Sequence, residues 1–174
     1  MSGLRIREMT EADVEDVSAL RIRGWQVAYP GLVPQPYLDG LDIAEDVEQR
    51  RKFLADAPPD VVNLIAERAG EVVGWLAFGP ARDRDVPAGE GEVYAVYVRP
   101  GDFGTGVGRA LMKACLARAR DDGRRALRLW VIDGNVPAQR FYERAGFTAD
   151  GAVNSFEVTG GRVHESRYAL VLIP

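Results

Sequence analysis

Cysteine and histidine are almost missing from this chain: Cys115 and His164 are the single copies of each. A lone cysteine excludes an internal disulfide, and the pair is too small to supply a Cys/His zinc cage, so no metal and a reducing compartment are expected. An excess of positive charge is missing too. The 22 Lys and Arg against 26 Asp and Glu leave a formal charge of −4, which gives no general cationic field for a polyphosphate backbone. Nucleic acid is therefore not expected as a partner, and any anion site must be built locally. No apolar run approaches the roughly 20 residues of a membrane span. The opening Met1-Ser2-Gly3-Leu4-Arg5 lacks the apolar core of a secretory signal, so a cytoplasmic protein with no membrane partner is expected. Internal repeats and low-complexity tracts are also lacking.

What is present is enough apolar material, 47% of 174 residues, to bury one core in one domain spanning residues 1–174. Leu4, Ile6 and Glu8 alternate with polar neighbours as in a short strand, and Thr10 with Asp13 resembles a capping box opening a helix to about Tyr29. Pro30, Pro34 and Pro36 interrupt helical continuation. Asp42 can cap a second helix to about Ala55, stopped by Pro58-Pro59. Val61 to Arg68 and Val72 to Phe78 form a hairpin about Ala69-Gly70-Glu71. Pro80 to Gly91 reads as a polar, mobile loop, in which Asp83, Arg84 and Asp85 are a solvated stretch, a selector of charged acceptors or a lid over a site.

Glu92 to Val98 is a further strand. Behind Gly101 to Gly106, the apolar residues Val107, Ala110, Leu111, Ala114 and Cys115 keep helical spacing, and Gly123 can end that helix. Leu127 to Val131 returns as a strand. The helical crossover makes it a parallel neighbour of the strand Glu92 to Val98. Asn135 can cap a short helix closed by Gly146, and two strands near Asn154 to Thr159 and Val163 to Leu172 finish the chain. The pattern implies an α/β fold with a mixed, mostly antiparallel sheet, helices on both faces and one parallel strand pair.

Gly104-Thr105-Gly106-Val107-Gly108 lies between a strand and a helix, where glycines allow close backbone approach and the free helical N–H groups point outward. Such a geometry binds anions, with the helix dipole contributing about 0.3 to 1 kcal/mol. Arg109 stands where a Rossmann fingerprint needs glycine, and the Gly-Lys-Ser/Thr of a Walker loop is absent. A tight turn without a ligand is the competing reading of the loop alone.

Three segments together resemble the GNAT superfamily of N-acetyltransferases: Val98-Arg99-Pro100, Gly104 to Leu111, and Asn135-Val136-Pro137-Ala138-Gln139-Arg140-Phe141-Tyr142-Glu143-Arg144-Ala145-Gly146-Phe147. The element order resembles that fold along essentially the whole chain. The resemblance implies acetyl-CoA as acyl-donor substrate and a small-molecule or peptide amine as acceptor. It assigns the pyrophosphate to main-chain N–H groups of Gly104, Thr105, Gly106, Val107, Gly108 and Arg109. It assigns the pantetheine arm to the strand edge at Val96, Tyr97 and Val98, with Asn135 and Ala138 on its far side, and faces the N–H of about Val98 to the thioester oxygen. Phe103 replaces the family's usual Gln or Arg before the loop, which removes a polar side chain but no backbone donor.

An amine nucleophile must shed a proton, since a lysine-like ammonium has a pKa of about 10.4. Glu92, on the strand leading to the acyl site, is the candidate base, against a solvated glutamate at a strand start. Tyr142 matches the family tyrosine that protonates the departing thiolate, against a core tyrosine on the face of Ala138, Phe141 and Ala145. Trp25 and Tyr29 head an aromatic cluster that shapes an acceptor pocket or packs between helices. Cys115 reads as a packing residue, and His164 as a surface or hairpin residue, against one that approaches the acceptor cleft. A protein that binds acyl-CoA without turnover, a longer acyl donor, and a homodimer all stay open.

Overall fold

The computed structural model describes residues 3–172; Met1, Ser2, Ile173 and Pro174 of the expected domain lie outside the described residues. Seven strands form one sheet in the order β1-β2-β3-β4-β5-β7-β6. They are β1 (Arg5–Glu8), β2 (Val62–Arg68), β3 (Glu71–Pro80), β4 (Gly91–Val98), β5 (Ala126–Ile132), β6 (Thr148–Val158) and β7 (Gly161–Val171). The helices are α1 (Val14–Ala28), α2 (Gln35–Asp39), α3 (Ile43–Asp56), α4 (Val107–Asp121) and α5 (Val136–Arg144). All neighbouring strands pair antiparallel except β4 and β5, as the helical crossover through α4 requires.

The two faces of the sheet are covered by different helices. Val17 and Leu20 of α1 pack with Ile65, Trp75 and Ala77. On the opposite face Val107, Leu111, Met112 and Cys115 of α4 join Leu76, Phe78, Leu127 and Phe147, with Phe141 and Tyr142 of α5 beside them. Cys115 is wholly buried there, and burial pushes its thiol up to about 12, the behaviour of a packing residue. A methyl placed on Gly74 of β3 would lie 2.8 Å from Val107 and 2.9 Å from Leu111, so glycine is what lets α4 settle against the strand. Among the described residues no helix is long and apolar enough to cross a membrane.

Three local expectations change. The proline-rich stretch after α1 holds a short helix, because Pro36 falls in its first turn, where a missing N–H costs nothing. β6 begins at Thr148, before Asn154, and a bulge between Ala149 and Val153 turns Asp150 out of the ladder. The loop from residue 81 to 90 is pinned at its acidic residues. Arg167 of β7, 5% exposed, donates to Asp83 at 3.0 Å, to both oxygens of Asp85 at 2.8 and 2.7 Å, and to Asp150 at 2.7 Å. Trp130 of β5 also donates to Asp83 at 3.0 Å. Asp83 is half-buried and Asp85 exposed, yet both are engaged, because a buried guanidinium needs counter-charges and these carboxylates supply them.

Removing Arg167 strands those charges. Arg167→Leu should lower stability by about 3 kcal/mol in urea unfolding. Burial pushes the Asp150 carboxyl up, but the Ala152 N–H and the guanidiniums of Arg167 and Arg128 outweigh it and hold the group below the usual carboxylate range. A depressed folded-state pKa contributes stability that is present above the unfolded value and lost as pH falls through the folded one. The wild type should therefore lose more stability than Arg167→Leu as pH drops below about 4.

Candidate functional site

β4 and β5 are in register only at Gly91 with Leu127 and at Glu92 with Arg128. Beyond Glu92 the two strands diverge while β4 stays paired to β3 as far as Val98. The divergence has a local cause. Phe78 faces Val93 and Ala77 faces Ala95, so Tyr94 is an extra residue bulged out of β4, and a bulge bends and twists its strand. From Val93 to Val98 the β5-facing edge of β4 therefore lacks a ladder partner among the described residues. This brings the main-chain groups of Val96 and Val98 to an open strand edge, whereas those of Tyr97, expected there as well, face β3 because alternate residues of an antiparallel strand point to opposite neighbours.

A cavity of about 210 Å³ occupies the gap. Tyr142 and Ala138 of α5 line it from the α4 side of the sheet, and Trp25 of α1 and Tyr29 just past its end line it from the opposite side. Glu92, Tyr94 and Tyr97 of β4, Trp130 of β5, Asn135, Phe156 of β6 and Glu165 of β7 complete its walls. Both candidate catalytic residues and both candidate acceptor residues thus share one space. Asn135 has two roles: its side chain accepts from the Ala138 N–H at 3.3 Å to cap α5, and it lines the cavity.

Glu92 is 2% exposed, so the solvated alternative is wrong. Its Oε1 accepts from the Arg82 N–H at 3.1 Å, and its Oε2 from the Arg82 guanidinium at 2.6 and 3.2 Å. That guanidinium also lies over the Tyr94 ring, 4.2 Å from its centre. The Tyr97 side chain points to α1, stacking on Trp75 at 5.9 Å and accepting a hydrogen bond from the Trp25 indole. Trp25 in turn meets Tyr29 edge to face at 4.9 Å. Burial pushes the phenols of Tyr29, Tyr97 and Tyr142 above their ordinary range, so each keeps its proton at neutral pH.

The glycine loop caps the other end of the system. Gly104 and Gly106 have φ of 74° and 90°, a left-handed conformation that favours glycine. No side chain caps the first turn of α4 and no acidic residue lies in it. Its opening N–H groups, at Val107, Gly108 and Arg109, are left for an external acceptor. The Thr105 hydroxyl is already used, donating to the Asp102 carbonyl at 2.7 Å, so only its backbone is free for the expected role. Asp102, which would repel an anion, is neutralised by Arg68 at 2.8 Å and Arg99 at 2.6 Å. A methyl on Gly108 would meet Phe141 at 3.2 Å and Val98 at 3.6 Å, which explains how α4, α5 and the end of β4 crowd together.

Sequence reasoning missed Glu165, Arg82, Tyr94, Trp130 and Phe156. It considered His164 for the acceptor cleft, but His164 is exposed, and strand alternation turns it to the face opposite Glu165. The signal available was the period-two run Val163, Glu165, Arg167, whose outer members are buried, so the carboxylate between them shares their inward face.

Comparison with known proteins fits this geometry. Residues 25–147 match the model of the acetyltransferase (GNAT) family. An uncharacterized N-acetyltransferase of Mycobacterium tuberculosis is 35% identical over 166 residues, covering 94% of this chain and 97% of that protein. The structure of a ribosomal-protein-alanine N-acetyltransferase from Brucella melitensis superposes with a TM-score of 0.72 at 25% identity, over 97% of this chain and 99% of that one. The PaiA N-acetyltransferase of Thermoplasma acidophilum, solved with coenzyme A, shares the fold at TM-score 0.72 and 18% identity, over 95% and 99% of the two chains. By its matched family model and its full-length relative, the chain belongs to the acetyltransferase (GNAT) family, as an acyl-CoA-dependent N-acyltransferase.

Proposed function

We propose that this enzyme moves an acetyl group from acetyl-CoA to a primary amine by direct attack with both substrates bound. The observation that carries the reading is the cavity through the sheet, which joins the α5 side, with Tyr142, to the aromatic and acidic side, with Trp25, Tyr29 and Glu92. A donor lying along β4 and an acceptor entering from the α1 side would meet there without an acyl-enzyme. Cys115, the only thiol, is buried in the core.

The donor fits the residues present. The uncapped start of α4 and the left-handed Gly104 and Gly106 suit a pyrophosphate. The open edge at Val96 and Val98, on either side of Tyr97, suits the amides of a pantetheine arm, with Asn135 and Ala138 across from it. The Val98 N–H stabilises negative charge on the thioester oxygen as it develops. Phe103 is 55% exposed and offers the loop no polar group, so affinity rests on backbone donors.

Tyr142 keeps its proton and gives it to the departing sulfur. Glu92 receives the amine proton through water, because Arg82 occupies both of its oxygens. The acceptor is a small-molecule or peptide amine whose body rests among Trp25, Tyr29 and Phe156.

Calorimetry should detect acetyl-CoA binding, and thiol release across a panel of primary amines should identify an acceptor; no binding to any acyl-CoA would end this reading. Tyr142→Phe should lower kcat by about 10²-fold with acetyl-CoA affinity retained. Unchanged turnover would return Tyr142 to the core. For Glu92→Gln the rise of rate with pH should change shape while acetyl-CoA affinity holds, and an identical profile would exclude Glu92 as the proton acceptor.

A further inference from the structure

Glu165 is the one cavity-lining carboxylate that the reading above leaves without a role. It lies on β7 opposite Ile132 of β5 and Asn154 of β6. Its Oε1 accepts one hydrogen bond, from the Asn154 amide at 2.9 Å, and it makes no ion pair among the described residues. Glu92, by contrast, has both oxygens engaged by Arg82 and is the more deeply buried of the two. Of the two carboxylates, Glu165 alone has an oxygen, Oε2, that accepts no hydrogen bond among the described residues.

We propose that Glu165 binds the incoming ammonium and takes the first of the two protons it must lose, leaving the second to pass through the water at Glu92. This rests on the transferase reading and deepens it. Trp25, Tyr29, Trp130 and Phe156 line the same cavity and give it aromatic walls. Partial burial in the cavity makes a charged amine costly unless it meets a carboxylate, and Glu165 is the cavity carboxylate with an unengaged oxygen. Geometry sets the order of proton transfer: a free Oε2 can contact the ammonium directly, whereas Glu92 is reached past Arg82.

The charged groups around Glu165 act in the same direction. Burial raises its carboxyl above the usual range, and Asp83 of the 81–90 loop and Glu92 of β4 push it further up, against the Asn154 amide and Arg82. Trp130 and Ile132 of β5 present no charge to it. A carboxylate made more basic by its neighbours is a better proton acceptor near neutral pH.

The atoms balance as follows. An N–H bond of the ammonium breaks and an O–H bond forms at Glu165. The nitrogen lone pair then bonds to the thioester carbon, and the C–S bond breaks. Sulfur takes the Tyr142 proton, and the second proton, leaving the newly bonded nitrogen, passes through the water at Glu92 and returns to the phenol. Amide, free thiol and one proton result, and Glu165 passes that proton to solvent on its Asn154 side, where Asn154 is exposed.

The test has two arms. Protein labelled with carbon-13 at the glutamate carboxyls is titrated by NMR without substrate. One signal, lost in Glu165→Gln, should titrate above the ordinary glutamate range and move down in Glu92→Gln; titration in the ordinary range overturns the proposal. In the second arm, thiol release from acetyl-CoA is followed against pH with n-butylamine, benzylamine and putrescine as probes. Glu165→Gln should lower kcat by about 10²-fold, abolish the acid limb of kcat/KM and leave acetyl-CoA affinity within about twofold, with Glu165→Asp partly restoring turnover. If the wild type turns over and Glu165→Gln matches it with the same acid limb, Glu165 alone is overturned. A wild type that binds acetyl-CoA yet releases no thiol with any amine overturns the transferase reading and the role of Glu165 with it.

Discussion

The parting of β4 from β5 is the constraint on which the rest of this structure depends. Two paired positions, at Gly91 and Glu92, hold the strands together at one end, and the bulge at Tyr94 sends β4 away at the other. A continuous ladder would have sealed the sheet and separated its two layers of helices. The gap instead leaves unpaired backbone on β4 and a cavity that reaches both faces. Buried unpaired amides cost roughly 1 to 3 kcal/mol each, so a gap of this kind persists because cavity water, or a ligand presenting its own amides, can pair with them.

Keeping the gap open requires rigid walls on both sides, and these are built in different ways. On the α4 side the wall is apolar. Gly74 admits Val107 and Leu111, Gly108 admits Phe141, and close packing fixes where α4 and α5 begin. On the α1 side the wall is partly ionic. Arg167 gathers Asp83, Asp85 and Asp150, while Arg128 joins Glu90 to Asp150. The 81–90 loop is thereby tied to β5, β6 and β7. Arg82 in that loop reaches Glu92, so the same anchorage also sets the charge inside the cavity. Acidity that looked like loop solvation in the chain is counter-charge for buried arginines.

Much of this was legible in the residues, for identifiable reasons. Strand and helix periodicity fixed the element order from β1 to β7, and the helical crossover through α4 predicted the parallel pair. The glycine loop and the segment from Asn135 to Phe147 carry chemistry in consecutive residues, so a linear reading can find them. The other half of the cavity could not be found that way. Glu165, Trp130 and Phe156 come from three different strands and meet only through sheet order, and β6 joins the sheet beyond β7. The bulges at Tyr94 and at Asp150 to Ala152 change which way side chains face, and no simple alternation anticipates them. His164 drew attention as the lone histidine, while its neighbour Glu165 turns inward.

The division between what was legible and what was not follows a division of labour in the proposed chemistry. The donor side relies on backbone: helix N–H groups, left-handed glycines and a strand edge, all tolerant of side-chain change, which is why Phe103 can replace a polar residue there. The acceptor side relies on side chains from α1, β4, β5, β6 and β7, each held by a different partner. A substitution on the first side acts only if it moves the main chain, whereas one on the second alters charge or shape directly. Acceptor choice in this enzyme is therefore expected to reside on the face that carries Trp25, Glu92, Trp130, Phe156 and Glu165, while the loop from Gly104 to Gly108 stays indifferent to which amine arrives.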